Sequence, residues 1–328
     1  MINRRNFVAG SLCAAVGGII QPPLVQAQLV QKSARMLVGF PAGGSIDVVA
    51  RLLVEQMKGY APNFVVDNRP GAGGRLALDS LKASDADGSV MILTPGDQLT
   101  LFPHIYRKLG YDPLKDFVAV TTVCSVEFLL TVGPMVPDDV KTLAQFVQWC
   151  RANPARATYG TPGAGSRPHF LGVMFSQAVD VPLVHAPYKG GALAIQDLLG
   201  GQIPMTISVL SNTLPHLAAG KLRALATTAP RRSAVLPDVQ TFREAGYSQL
   251  EALEWFGILV PANTPSSIVN GLSSAVRAAV ESTEVKAAFS KLAFEPSILP
   301  SAEFIKAIGS EFEHWGSVVR ITGFTPID

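Results

Sequence analysis

The chain has 328 residues with 27 Lys+Arg against 25 Asp+Glu, a formal charge of +2, and Arg4 and Arg5 at its start account for that excess. A body this close to neutral excludes nucleic-acid binding and polybasic membrane attachment as main activities, because both need concentrated positive surface. The three cysteines form no CxxC, there is no HExxH and no cluster of His with Cys or carboxylates, so no metal site and no required cofactor are expected.

Residues 1–27 read as a cleaved export signal. Arg4-Arg5 precedes the apolar, small-residue stretch Phe7 to Ile20, too short to span a membrane, and Val25-Gln26-Ala27 fits a signal-peptidase site. Asn3-Arg4-Arg5-Asn6-Phe7-Val8 resembles a twin-arginine signal, although the pair suits ordinary secretory export equally. Cys13 leaves with this leader. Cys124 and Cys150 read as two buried free thiols, with pairing in an oxidising compartment as the alternative. No second long apolar run appears, so the mature protein is expected in the periplasm and not inserted in the membrane.

Beyond the leader, short apolar runs alternate with amphipathic stretches, the grammar of an α/β fold. Arg35–Phe40 reads as a strand, Pro41–Ser45 as a loop and Asp47–Tyr60 as a helix. Strand Phe64–Asp67 ends in the turn Asn68-Arg69-Pro70-Gly71-Ala72-Gly73-Gly74, followed by helix Leu76–Ala83 and strands Val90–Thr94, Phe117–Thr122 and Phe128–Val132. From helix Leu143–Asn153 the grammar repeats: strand Ala157–Tyr159, a Gly-rich loop, helix His169–Ala178, strand Leu183–His185 and helix Leu193–Leu199. Strands Ile203–Ser208, Leu222–Thr227 and Phe256–Val260 precede helices Ser266–Glu281 and Ala302–Val319. Two lobes are expected, 28–132 plus 253–328 and 133–252.

One motif occurs in each lobe. Phe40-Pro41-Ala42-Gly43-Gly44-Ser45-Ile46-Asp47 and Tyr159-Gly160-Thr161-Pro162-Gly163-Ala164-Gly165-Ser166-Arg167-Pro168-His169 each follow a strand and open a helix. Glycines let the backbone approach a ligand, and the first helical N–H groups have no internal partner, so each loop is a potential anion cradle. Ser45 and Ser166 are placed to cap their helices, and Pro168 suits a first turn. Neither copy is GxxxxGK[ST] or GxGxxG, so a nucleotide loop is not supported. Together the two copies suggest a pincer.

These strings resemble a known family. Val38-Gly39-Phe40-Pro41-Ala42-Gly43-Gly44-Ser45 with Asp47 and Ala50-Arg51, and Asn68 to Gly74, look like the Bug-type receptors, the substrate-binding proteins of tripartite tricarboxylate transporters. Tyr159-Gly160-Thr161 with Gly163, Gly165-Ser166 and His169 fits too, as do Pro187-Tyr188-Lys189-Gly190, Gly220 to Ala226 and Phe242-x-Glu244-Ala245-Gly246-Tyr247. The resemblance covers nearly the whole mature chain. It implies a two-lobed, type II-like periplasmic-binding fold with a cleft between lobes, two crossovers, and a small carboxylate gripped largely by main-chain groups. Phe40 to Gly44 would form one wall, Thr161 to Ser166 the other, and Ala186 to Lys189 would border the cleft. Arg75-Leu76-Ala77, Arg167-Pro168 and Thr206-Ile207-Ser208 depart from the family pattern and bear on which ligand is taken.

Individual side chains have plainer readings as well. Asp47 and Arg51, four apart on one helix face, make an ordinary ion pair by spacing; the resemblance implies that they brace the first loop, with a direct ligand contact by Asp47 as the alternative. His169 either donates to a carboxylate or packs. Lys189 and Arg75 either complement a dicarboxylate or are solvated loop charges, Tyr188 borders the cleft, and Phe40 is either an apolar wall or a buried strand-end aromatic. Ser166 lies outside any GxSxG and has no evident base. The expected function is capture of a small carboxylate metabolite for uptake through membrane permease subunits, or for a signalling partner. An enzyme exploiting the cleft, transferase-like, is the alternative from another class, and a purely structural periplasmic protein is a third.

Overall fold

Short Val-, Ile- and Leu-rich runs, each followed by an amphipathic stretch, bury both faces and become parallel strands covered by helices. The computed structural model describes residues 30–327; the expected leader and its cleavage site lie outside them. The first part alternates β1 (Ala34–Val38), α1 (Ser45–Gln56), β2 (Phe64–Asn68), α2 (Arg75–Lys82) and β3 (Val90–Pro95). Strand β1 pairs in parallel with β2 on one side and β3 on the other. Two short helices not anticipated from sequence, α3 (Asp97–Thr100) and α4 (Phe102–Ile105), lead to β4 (Phe117–Val132).

Strand β4 joins the two halves of the molecule. The expected pair of runs, Phe117–Thr122 and Phe128–Val132, is one 16-residue strand, buried along nearly its whole length. Its polar middle is accommodated by distant partners: Thr121 and Thr122 donate to Leu299 O and Ser297 O, and Glu127 accepts from the Thr227 hydroxyl.

The second part contains α5 (Leu143–Ala152), β5 (Thr158–Thr161), α6 (Arg167–Val179), β6 (Val184–Pro187), α7 (Gly191–Leu199), β7 (Met205–Val209), α8 (Leu210–Ala218) and β8 (Arg223–Thr227). Helix α8 was not expected, and its interior Pro215 argues against a helix locally. Strand β5 lies in parallel between β6 and β7, so the order 6-5-7 repeats the order 2-1-3 of the first half. From Phe128 to Val132, β4 pairs antiparallel with β7 and, from Leu129, with β8.

The chain then returns through β9 (Leu253–Pro261), α9 (Ser266–Glu281), α10 (Thr283–Leu292), β10 (Glu295–Pro296) and α11 (Ser301–Thr322). Strand β9 inserts antiparallel between β3 and β4, facing β4 from Phe117 to Glu127, and β10 pairs with β4. The result is a two-lobed α/β fold on a mixed sheet, with one apolar cluster running from Met36 and Val49 through Phe128 and Leu130 to Phe146 and Phe175. Cys124 and Cys150 are both buried in that cluster and unpaired. Among the described residues no helix is long and apolar enough to cross a membrane.

Candidate functional site

At β1 and at β5 the neighbouring strands depart to opposite sides, and a crevice opens beyond the carboxyl end of such a strand. Those two ends carry the two Gly-rich loops, and a cavity of about 310 Å³ lies between them. The first half contributes Phe40, Pro41, Ala42, Gly44 and Ser45 to its wall, and the second contributes Gly163, Ala164, Ser166 and Lys189. Both loops need a glycine in left-handed conformation: Gly43 has φ +84° and Gly165 φ +78°. A Cβ on Gly43 would meet open space, whereas one on Gly165 would lie 2.2 Å from Ile105 Cδ1 on α4.

The expected serine caps are corrected by the structure. Gly44, not Ser45, is the N-cap of α1, and Ser45 Oγ donates to Asn212 Oδ1 at 3.0 Å, from one half to the other. Ser166 is the N-cap of α6, but its hydroxyl turns back to Gly163 O at 2.8 Å, a carbonyl that also accepts from Thr161 Oγ1 at 3.1 Å. Neither helix is capped by its own serine, and the first-turn N–H groups of α1 keep bonding capacity toward the cavity, whereas in α6 Arg167 N–H meets the Asp97 carboxylate, Pro168 has no N–H and His169 N–H bonds Ser166 O at 2.9 Å. Pro168 occupies the first turn of α6 as expected.

Other expected site residues lie behind the wall and shape it. Gly43 is absent from the lining, as are Asp47, Gly160, Thr161, Gly165, His169, Ala186 and Tyr188. Buried Asp47 accepts from Gly43 N–H and Arg51 Nε, each at 2.9 Å, and from Asn68 Nδ2 at 2.9 Å. Burial raises its pKa, but these hydrogen bonds and the Arg51 charge outweigh that and hold the carboxyl below its ordinary range. The loop is thus pinned by an anion that faces away from the cavity.

His169 does the corresponding work in the second loop. Its Nδ1 accepts from Gly165 N–H at 3.0 Å, and its ring stacks on His185 with centroids 3.7 Å apart. Burial pushes His169 down to about 4; burial and then the neighbouring His169 push His185 to about 3, so both are neutral at pH 7. His185 Nε2 lies 2.7 Å from Thr161 Oγ1. Ala186 sits opposite Gly160 in the β5–β6 register, and Tyr188 donates to Asp197 at 2.8 Å. Arg75 lies over the Tyr106 ring, 3.8 Å from its centroid, and does not line the cavity.

Sequence reasoning missed part of the wall. Gly190, the N-cap of α7, and Gly191 to Leu193 add a third helix start to the cavity, again without a side-chain cap. The local signal existed, since Lys189-Gly190-Gly191 is another Gly-containing turn ahead of a helix. Phe102, Phe128 and Phe256 make the wall apolar, and Asp97 and Glu254 bring acid to it. Those five are scattered along the chain, and only the fold assembles them.

The acids belong to a buried charge cluster between the halves. Arg167 on α6 pairs through Nε with Glu254 of β9 at 3.2 Å, pairs through Nη2 with Glu311 of α11, and donates to Leu253 O at 2.7 Å. Glu254 accepts from Gly96 N–H at 2.9 Å, and Glu311 accepts from Trp255 Nε1 at 2.9 Å. Burial pushes Asp97 up to about 6 and Glu254 well above the ordinary range, with the Arg167 guanidinium opposing both shifts.

Comparison with known proteins agrees with this geometry. Residues 49–324 match the family model described as tripartite tricarboxylate transporter family receptor. Protein BugT of Bordetella pertussis is 32% identical over 322 residues, covering 96% of each chain. The structure described as R. palustris Rpa4515 with adipate superposes with a TM-score of 0.85 at 30% identity, covering 90% of this chain and 98% of that one. MatC from Rhodopseudomonas palustris, solved with bound malate, gives a TM-score of 0.79 at 26% identity, with 88% and 98% covered. The chain therefore belongs to the tripartite tricarboxylate transporter receptor family, a family of solute-binding receptors.

Proposed function

We propose that this protein is a periplasmic receptor whose two lobes, 28–132 plus 253–328 and 133–252, close around one small carboxylate. The observation that carries this reading is the meeting of three helix starts, at Gly44, Ser166 and Gly190, on one small cavity. Each presents the positive end of a helix dipole to the same anion, and the starts of α1 and α7 add backbone N–H donors. Phe40, Pro41, Ala42, Gly44 and Ser45 contact the ligand from one lobe, and Gly163, Ala164, Ser166 and Lys189 from the other. Gly43, Asp47, Gly160, Thr161, Gly165, His169, Ala186 and Tyr188 set the loops' shape. Ligand bridging the lobes favours the closed form by its differential affinity, and that form is the one presented to permease subunits or a signalling partner.

Catalysis is not part of the reading. Ser166 gives its proton to Gly163 O, and His169 spends Nδ1 on Gly165 N–H, so no nucleophile is paired with a base in this wall. Neighbours solved with adipate and malate support a carboxylate as the ligand class. Calorimetric titration with malate, adipate, glutarate and L-glutamate tests the reading, with mass spectrometry of each ligand afterwards. Saturable one-to-one binding with ligand recovered intact is expected. Chemical turnover, or no binding by any carboxylate, refutes it.

A further inference from the structure

The buried cluster beside the cavity does not balance its own charge. Asp97, Glu254 and Glu311 share a single guanidinium, that of Arg167. Two of the three carboxylates are well partnered: Glu254 and Glu311 both pair with Arg167 and accept from Gly96 N–H and Trp255 Nε1 respectively. Asp97 differs. Backbone N–H groups of Arg167 and Gln98 bond its carboxylate, yet it is only 5% exposed, it lines the cavity, and its Oδ1 has no hydrogen-bond partner. An orphaned buried acceptor costs free energy, and native structures retain one where something else completes it. The cation on the opposite wall, Lys189, is exposed and belongs to the other half.

We propose that Asp97 is a specificity-determining ligand contact, and that the carboxylate this receptor takes also carries an ammonium group, whose N–H donates to Asp97 Oδ1. The inference rests on the carboxylate-receptor reading and narrows it to amino acids as against plain dicarboxylates. One ligand then satisfies both ends of the cavity. Its carboxylate meets the helix starts, and its ammonium supplies the positive charge that the acid cluster lacks. A plain dicarboxylate of the same length brings a second negative charge, or a bare methylene, to a wall that already holds two acids. Burial that pushes Asp97 up to about 6 is in keeping with an acid awaiting a cation.

Matched ligand pairs test this on the purified chain at pH 7.5: L-glutamate against glutarate, and L-aspartate against succinate. Each pair differs only in the ammonium group. Titration calorimetry is expected to show the amino acid of at least one pair bound tenfold or more tightly than its partner, the scale of one charge-assisted hydrogen bond. In Asp97→Asn that preference collapses, and glutarate binding tightens as the repulsion is relieved. A dicarboxylate bound as tightly as its amino-acid partner overturns the proposal while leaving the carboxylate reading intact, and that comparison needs no variant. Loss of glutarate affinity in Asp97→Asn also overturns it, since Asp97 would then be a protonated donor to a carboxylate. Failure of all four probes, together with malate and adipate, sinks the receptor reading itself.

Discussion

Mild acid should destabilise this fold through the stacked imidazoles behind the second loop. In the unfolded chain a histidine titrates near 6.5, whereas burial holds His169 at about 4. Between those values the unfolded state binds more protons than the folded one. Stability from this group is therefore complete above pH 6.5 and is lost as pH falls toward 4. Going from pH 7 to pH 5 costs about 2 kcal/mol for an imidazole shifted this far. His185, pushed to about 3, acts in the same direction, while Asp97, pushed up to about 6, takes up its proton first in the fold and works against both. The His169 share is isolated by comparison with His169→Asn, in which the amide oxygen keeps an acceptor for Gly165 N–H but cannot titrate. Urea unfolding of both proteins at pH 7 and pH 5 reads the difference directly. The wild type should lose about 2 kcal/mol more than the variant over that interval. Equal losses in the two proteins would refute the reasoning, because they would mean that the imidazole protonates as readily in the fold as out of it.

Other consequences can be measured on the same protein. Gly165→Ala puts a Cβ 2.2 Å from Ile105 Cδ1 at φ +78° and should cost about 2–4 kcal/mol in urea melts, whereas Gly43→Ala meets open space and should cost only about 1 kcal/mol of backbone strain. Arg167→Met leaves Glu254 and Glu311 without their cation and should lose about 3–5 kcal/mol at pH 7, with a smaller loss at pH 5 because burial already pushes Glu254 above the ordinary range; an equal loss at both pH values counts against the ion-pair account. Cys124 is fully buried and its thiol is pushed far above the ordinary range, so an aromatic disulfide reagent should label it only at the rate of unfolding. Asn212→Ala removes the acceptor of the Ser45 hydroxyl across the cleft and should weaken ligand affinity by about two- to tenfold with little change in stability, read by calorimetry.

Much of the architecture is local information and was legible. Alternation of apolar runs with amphipathic stretches marked β1, α1, β3, β5 and α6, and a Gly-rich turn between strand and helix marked both loops that line the cavity, because glycine admits the left-handed backbone such turns require. The pairing of Asp47 with Arg51 follows from helical spacing alone. Three kinds of fact were beyond that reach. Thr121, Thr122 and Glu127 of β4 find their partners far along the chain, so its polar middle read as a break. The roles of Ser45 and Ser166 turned on competing acceptors, Asn212 and Gly163 O, that local capping rules do not see. Asp97, Arg167, Glu254 and Glu311 sit on four separate elements, and nothing near any of them marks it as charged and buried. Sequence by itself determined where Gly-rich turns open helices at strand ends, since glycine placement and helix starts are short-range properties. Tertiary structure alone decided which side chains surround them, because desolvation and pairing arise only when distant elements exclude water together.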